Sequence, residues 1–211
     1  MSSSTDVDAK PRSSGTYVAT DMSNRLQIGQ EHFQIRETDG GFNLQFSTVP
    51  YGSPSPPQRV VWDFDSDWDP IHLTAAVEGL ATTEVTFEDT KCEVETRHQS
   101  GVQSQRFDVG RQNAFFLLNG ALCAPLIIAR KFDWDAGGTQ SHALIPPGFL
   151  DVRRLPDDEV DGEPRSVLEV RLATMGVHDV VTLFVDARRD VVRYQTRNFQ
   201  LLVELEEDMQ C

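Results

Sequence analysis

Lysine is nearly absent from this chain. Lys10, Lys91 and Lys131 are the only three, so all but three of its nineteen cationic side chains are arginine. Positive charge is scarce in general: thirty-three acidic residues leave a formal net charge of -14. A chain so acidic is a poor match for nucleic acid, whose phosphates demand a basic face. It is an equally poor match for an anionic membrane surface. Cysteine is sparse too, at Cys92, Cys123 and Cys211, with no CxxC pair to make a zinc ribbon or a thioredoxin-type motif. The five histidines, His32, His72, His98, His142 and His178, never fall at H-x-x-x-H spacing, so no helical zinc site is encoded. G-x-S-x-G, S-x-x-K, Walker and GxGxxG motifs are all missing. Neither a metal nor a cofactor is therefore expected. The most apolar stretch, Ala114 to Ala129, is broken by Asn119, Gly120 and Pro125 and is short of the ~20 residues of a spanning helix. The first twenty residues lack the apolar core of a secretion signal, and no N-x-S/T sequon occurs. The expectation is a reduced, cytoplasmic setting.

What the chain does have is alternation. Residues 1–24, with Ser2-Ser3-Ser4 and Lys10-Pro11-Arg12-Ser13-Ser14-Gly15, read as a disordered polar tail. Residues 206–211 read as an acidic C-terminal tail. Between them, 25–205 is one domain. His32 to Arg36 alternates, Asp39-Gly40-Gly41 is turn chemistry, and Phe42, Leu44 and Phe46 share a face, which together spell a hairpin. The prolines from Pro50 to Pro57 bar a strand. Further strands are expected at Val60–Phe64, Ile71–Val77, Glu84–Phe87, Lys91–Arg97, Val102–Val109, Leu144–Val152, Ser166–Ala173, Asp179–Asp186, Val191–Arg197 and Phe199–Glu204. Ile71, Leu73, Ala75 and Val77 are placed on one face.

Residues 113–131 depart from this pattern. Ala114 to Leu118 and Leu126 to Ala129 are continuous apolar runs, which fit a buried strand or a buried helix equally. A helical turn around Asn119–Ala124 flanked by buried strands is the expectation. The fold class is all-β with minor α: a curved antiparallel sheet or barrel with one short helical insert. The Phe42–Phe46 hairpin, the apolar 113–131 insert and the closing run Val180 to Asp186 with its turn into Val191–Tyr194 resemble, in architecture, the lipocalin-like barrels and the half-barrels of bacterial lipid and lipoprotein carriers. The lipocalin Gly-x-Trp near the first strand is missing. That resemblance implies a cavity for a lipophilic small molecule, or the cofactor-free chemistry of lipocalin-like natural-product cyclases.

Trp62 to Pro70 carries alternate aspartates at 63, 65, 67 and 69, the opening of a calcium loop. Trp68 stands where that loop needs glycine and Thr74 where it needs glutamate, so a strand end with solvated carboxylates is the plainer reading. His32 and His72 face away from Phe33 and Leu73; a cavity on that face would make either a candidate acid or base. Cys92 and Cys123 read as small apolar groups. The candidate cavity lining is Phe42, Leu44, Phe46, Trp62, Phe64, Phe115, Phe116, Phe184 and Tyr194, around an apolar ligand. A carrier or binding protein is the first functional expectation. A cyclase acting by holding a flexible substrate in a reactive shape is the alternative, and a pure interaction role the third.

Overall fold

The computed structural model describes residues 11–50, 56–116, 121–145, 147–174 and 177–206. The tail segment 1–10, the proline-rich 51–55, Leu117 to Gly120 and the acidic 207–211 lie outside the described residues.

Fifteen strands form a single sheet, ordered β8-β7-β6-β5-β4-β3-β2-β1-β15-β14-β13-β12-β11-β10-β9. In chain order they are β1 Pro11–Asp21, β2 Leu26–Thr38, β3 Gly41–Pro50, β4 Gln58–Asp65, β5 Pro70–Val77, β6 Ala81–Phe87, β7 Cys92–His98 and β8 Gly101–Phe107. Then follow a 3-10 turn at Arg111–Asn113, β9 Ala114–Phe116, the helix α1 Ala124–Lys131, and β10 Thr139–Ile145. The chain closes with β11 Gly148–Val160, β12 Glu163–Thr174, β13 Val177–Val185, β14 Val191–Thr196 and β15 Leu201–Glu206. Every pairing is antiparallel except β9 with β10. The sheet is an unclosed meander whose edges are β8 and β9. The exposed edge β8 carries Gln103, Ser104, Gln105 and Arg106, polar side chains that discourage edge-to-edge pairing.

The sheet curves around α1. The helix meets β13 and β14, its cations reach the β4–β5 and β13–β14 turns, and its preceding residues bond to β2. Concave faces are apolar by simple alternation: Phe33 and Ile35 in β2, Phe42, Leu44 and Phe46 in β3, and Val60, Trp62 and Phe64 in β4 are buried. The 32–46 hairpin forms in the expected register, with Phe33 opposite Phe46 and Ile35 opposite Leu44.

Four expectations need correction. Residues 11–21, read as part of a disordered tail, form β1 between β2 and β15. Two of its three alternating inward residues, Gly15 and Ala19, are small and flank the fully buried Tyr17: a Cβ on Gly15 would stand 2.7 Å from Leu205 Cδ1 and 3.1 Å from Phe33 Cε1. Two well-patterned neighbours recruit β1; its own composition does not. The helix lies one turn later than expected, since Leu126–Ala129 is helical with Pro125 in the first turn, where its missing N–H costs nothing. Leu144–Val152 is two strands, β10 and β11, turning at Pro147. Finally, Ile71 does not share the buried face of Leu73 and Ala75. Asp63 pairs with His72 and Phe64 with Pro70, so Ile71 is the extra residue of a bulge and is 39% exposed.

Candidate functional site

α1 has no wet face: Pro125, Leu126, Ile127, Ile128, Ala129 and Arg130 are all buried. Helices apolar all round occur inside cores, and here the helix fills one half of the curved sheet. Its two ends are held by charges of the sign its dipole calls for. At the N-terminal end the Leu122 and Cys123 amides donate to the Glu31 carboxylate, at 3.1 Å to Oε2 and 2.6 Å to Oε1. Thr48 Oγ1 donates to the same Oε2. Glu31 is fully buried on the inward stripe of β2, and burial raises its pKa against the pull of these donors. At the C-terminal end Arg130 pairs with Asp190 and Lys131 with Asp69, both with buried cations. Burial lowers the Lys131 pKa despite Asp69 beside it.

Asp69 and Asp190 are presented by two turns of the same construction. Asp65 Oδ1 accepts the Asp67 and Asp69 amides at 3.0 and 2.9 Å, and the Asp65 amide donates to Asp69 O at 3.0 Å. Asp186 Oδ1 accepts the Arg188 and Asp190 amides at 2.9 and 2.8 Å, and the Asp186 amide donates to Asp190 O at 2.9 Å. The fourth residue of each is left-handed, Trp68 at φ 63° and Arg189 at φ 67°. A bulky residue in that region stores roughly 1–3 kcal/mol; for Trp68 it is offset by stacking on Phe42 with ring centroids 4.5 Å apart. The aspartates at 63, 65 and 69 are thus committed to protein partners: Asn43 Nδ2 donates to Asp63 at 2.6 Å, Arg111 stands 3.3 Å from Asp65, and Lys131 holds Asp69. Their spacing serves a turn and an ion pair.

Between the N-terminal half of α1 and β10–β15 lies a cavity of about 840 Å³. The helix side offers Leu122, Pro125, Ile127 and Ile128, and the sheet side Leu144, Leu150, Val170, Leu172, Val181 and Leu183. It reaches the surface at Ile28 and Phe199, which are 43% and 64% exposed. Of the candidate lining residues, Trp62, Phe115, Phe116 and Tyr194 stand in its wall. Phe42, Leu44, Phe46 and Phe64 lie on the same concave face but belong to the buried core outside the cavity wall, with Phe42 and Phe64 against Trp68 and Phe64 against Trp62. Phe184 alternates with Leu183 along β13, so it faces away from the cavity.

Polar groups in the wall are few: Thr174, Asp179, Tyr194 and Thr196. Asp179 is 5% exposed, its Oδ1 accepts the Val180 and Asn198 amides at 2.8 and 3.0 Å, and it forms no ion pair among the described residues. Burial raises the Tyr194 and Tyr17 phenols, and the Tyr17 hydroxyl donates to Val191 O at 2.9 Å. Cys123 is buried beside Glu31, which with burial raises its thiol pKa, the reverse of an activated thiolate. His32 lies on the convex face and shares a hydrogen bond with Thr16 Oγ1 at 2.7 Å; His72, in β5, lines no part of the cavity. His142 packs edge-on against Phe115, and burial holds its pKa down to about 4.

Sequence reading missed Glu31, Asp190 and Asp179, and named Asp69 only among the alternate aspartates of a calcium-loop opening. Only Glu31 carried a signal: alternation puts it on the face of Phe33 and Ile35, where a carboxylate is out of place unless something meets it.

No protein-family model and no curated protein matches this chain. Among solved structures it is similar to the crystal structure of a β-barrel-like protein of domain of unknown function DUF1849 from Brucella abortus. The TM-score is 0.59 over 93% of this chain and 98% of that one, at 9% sequence identity. Likeness at such low identity is a likeness of fold, and the shared fold is a barrel-like, curved and predominantly β architecture.

Proposed function

We infer that this protein binds a lipophilic small molecule in the cavity beside α1 and acts as its carrier. The observation that carries this reading is the cavity itself: about 840 Å³, walled almost wholly by aliphatic and aromatic side chains. Such a volume lies in the upper part of the ~300–1,000 Å³ range of small-molecule sites. The few polar groups gather toward the strand ends near Phe199, so a ligand's polar end sits outward and its apolar body inward. Glu31, Cys123, Arg130 and Lys131 are taken up in anchoring α1, which leaves Asp179 and Tyr194 as the titratable groups of the cavity wall. The two free thiols among the described residues, Cys92 and Cys123, are buried and suit the reducing cytoplasmic setting. No helix among the described residues is long and apolar enough to cross a membrane.

The test is titration with a dansylated fatty acid, together with native mass spectrometry of the purified protein. Val181→Trp and Leu172→Trp, which fill the cavity from half-buried positions, weaken binding at least about tenfold, because most of a ligand's burial is lost. Unchanged affinity in both variants places the ligand elsewhere and sinks the reading. Saturable conversion of a linear polyketide-like precursor would instead establish the cyclase.

A further inference from the structure

Strand direction sorts the hairpin turns into two ends, because neighbours alternate from β8 through β10. The β2–β3, β4–β5, β6–β7, β11–β12 and β13–β14 turns lie at one end, where Arg130 and Lys131 seat the helix. The β1–β2, β5–β6, β7–β8, β10–β11 and β14–β15 turns lie at the other, where the cavity reaches Ile28 and Phe199.

Exposed apolar side chains follow the same division. Among the described residues eight large hydrophobics are exposed. Met22, Leu26 and Ile28 flank the β1–β2 turn, Leu80 is in the β5–β6 turn, Val102 and Phe149 begin β8 and β11, and Phe199 is in the β14–β15 turn. All seven are at the cavity end; Ile71 alone is at the helix-seat end. Scattered exposed hydrophobics need no explanation, whereas their collection at one end does. Charge divides inversely. The helix-seat turns hold Asp39, Asp67 and Asp69, Glu88 and Asp89, Asp161, and Asp186 and Asp190, against Lys91, Arg188 and Arg189. The described cavity-end turns hold Glu78 against Arg25 and Arg197, with Asp21 at the end of β1 accepting from Ser23 and Asn24 of the β1–β2 turn.

We propose that the cavity end docks on a lipid bilayer, seating Met22, Leu26 and their neighbours in the headgroup region with Arg25 and Arg197 toward lipid phosphates. This uses the net charge of -14 differently from the reading that it forbids anionic membranes. The acidic turns stand a strand length away, about 25 Å for an eight-residue strand at ~3.3 Å per residue. That is well beyond the ~8–10 Å over which charge acts in physiological salt. The acidic end therefore orients the molecule, cavity toward the bilayer, without preventing contact. Apolar insertion with flanking cations is the usual basis of binding at the interface. Docking stands on the rim and the charge division; the carrier reading supplies its purpose, loading and unloading from the membrane.

The experiment is co-flotation of the full chain with vesicles of phosphatidylcholine, alone and mixed with phosphatidylserine. Wild type floats with both, and Met22→Asp/Leu26→Asp reduces the bound fraction at least about tenfold. Ile71→Asp, at the opposite end, floats like wild type. Absence of wild-type flotation on either vesicle, or equal loss with Ile71→Asp, overturns the proposal. So does a wild-type dimer in solution that Met22→Asp/Leu26→Asp converts to monomer without any flotation, which assigns the rim to a second copy. Dansylated fatty acid titration of the same variants separates the two readings, since Met22 and Leu26 are not in the cavity wall. Flotation without ligand binding retires the carrier alone, and ligand binding without flotation retires docking alone.

Discussion

Replacing Asp190 by asparagine removes the carboxylate that receives Arg130 at the seated end of α1. Both side chains are nearly dry, at 7% and 8% exposure, and the Arg130 Nε has no hydrogen-bond partner among the described residues. The guanidinium also lies over the Trp68 ring, 5.6 Å from its centroid, so it cannot swing into water without disturbing the Trp68–Phe42 stack. At an effective dielectric near 20, two unit charges about 3 Å apart attract by roughly 5 kcal/mol. Truncating one partner of a buried pair costs about 3–5 kcal/mol, because the survivor stays desolvated. In urea, with a slope of roughly 2–3 kcal/mol per molar, Asp190→Asn therefore lowers the unfolding midpoint by about 1–2 M. Arg130→Met has a cost of its own, but the Arg130→Met/Asp190→Asn double variant is more stable than the sum of the singles predicts. A coupling of at least about 2 kcal/mol is expected from a double-mutant cycle. A loss below about 1 kcal/mol for Asp190→Asn, the value of an exposed pair, would refute the reasoning. So would strict additivity. Either result would mean that the end of α1 is wet and the helix is not locked to the β13–β14 turn.

Two pH dependences of opposite sign follow from the buried groups. Burial raises the Glu31 pKa, so its contribution is complete below the unfolded value and declines as pH rises through the folded one; Glu31→Gln flattens that decline in pH-dependent urea melts. The His142 pKa falls from 6.5 to about 4, so the folded state binds fewer protons in that window, stability drops as pH falls through it, and His142→Gln removes that drop. Gly15→Val, which drives a side chain against Leu205 and Phe33, destabilises by about 1–3 kcal/mol in the same assay, whereas a residue in a disordered tail would cost nothing. Cys92, with its pKa pushed up to about 12, and the equally buried Cys123 resist maleimide at pH 8 in the native protein and react in urea; peptide mapping of labelled native protein that found either one modified would contradict their placement.

Much of the architecture was legible from alternation, because a strand with one buried face must write its period into its residues. The β2–β3 hairpin, the inward stripes of β3 and β4, and the mixed character of 113–131 were all readable. β1 was not, since Gly15 is small for the sake of Phe33 and Leu205, and that reason lies 18 and 190 residues away. Nor was the Ile71 bulge, which is a property of pairing with β4. The two helix-seating turns share only their first and last aspartates, Asp65 and Asp69 with Asp186 and Asp190, so no repeat was visible although their hydrogen bonds match.

By itself, then, the sequence determined a β-chain of alternating polar and apolar faces with one apolar insert and no motif for metal, cofactor or nucleophile. It did so because those properties are local in composition and spacing. Only the tertiary structure decided which concave residues pack solid and which surround space. It alone brought Glu31, Asp69 and Asp190 to the two ends of one helix, and divided acidic turns from apolar ones. Each of these depends on which strands become neighbours and in which direction they run, and pairing over such separations leaves no trace in any single segment.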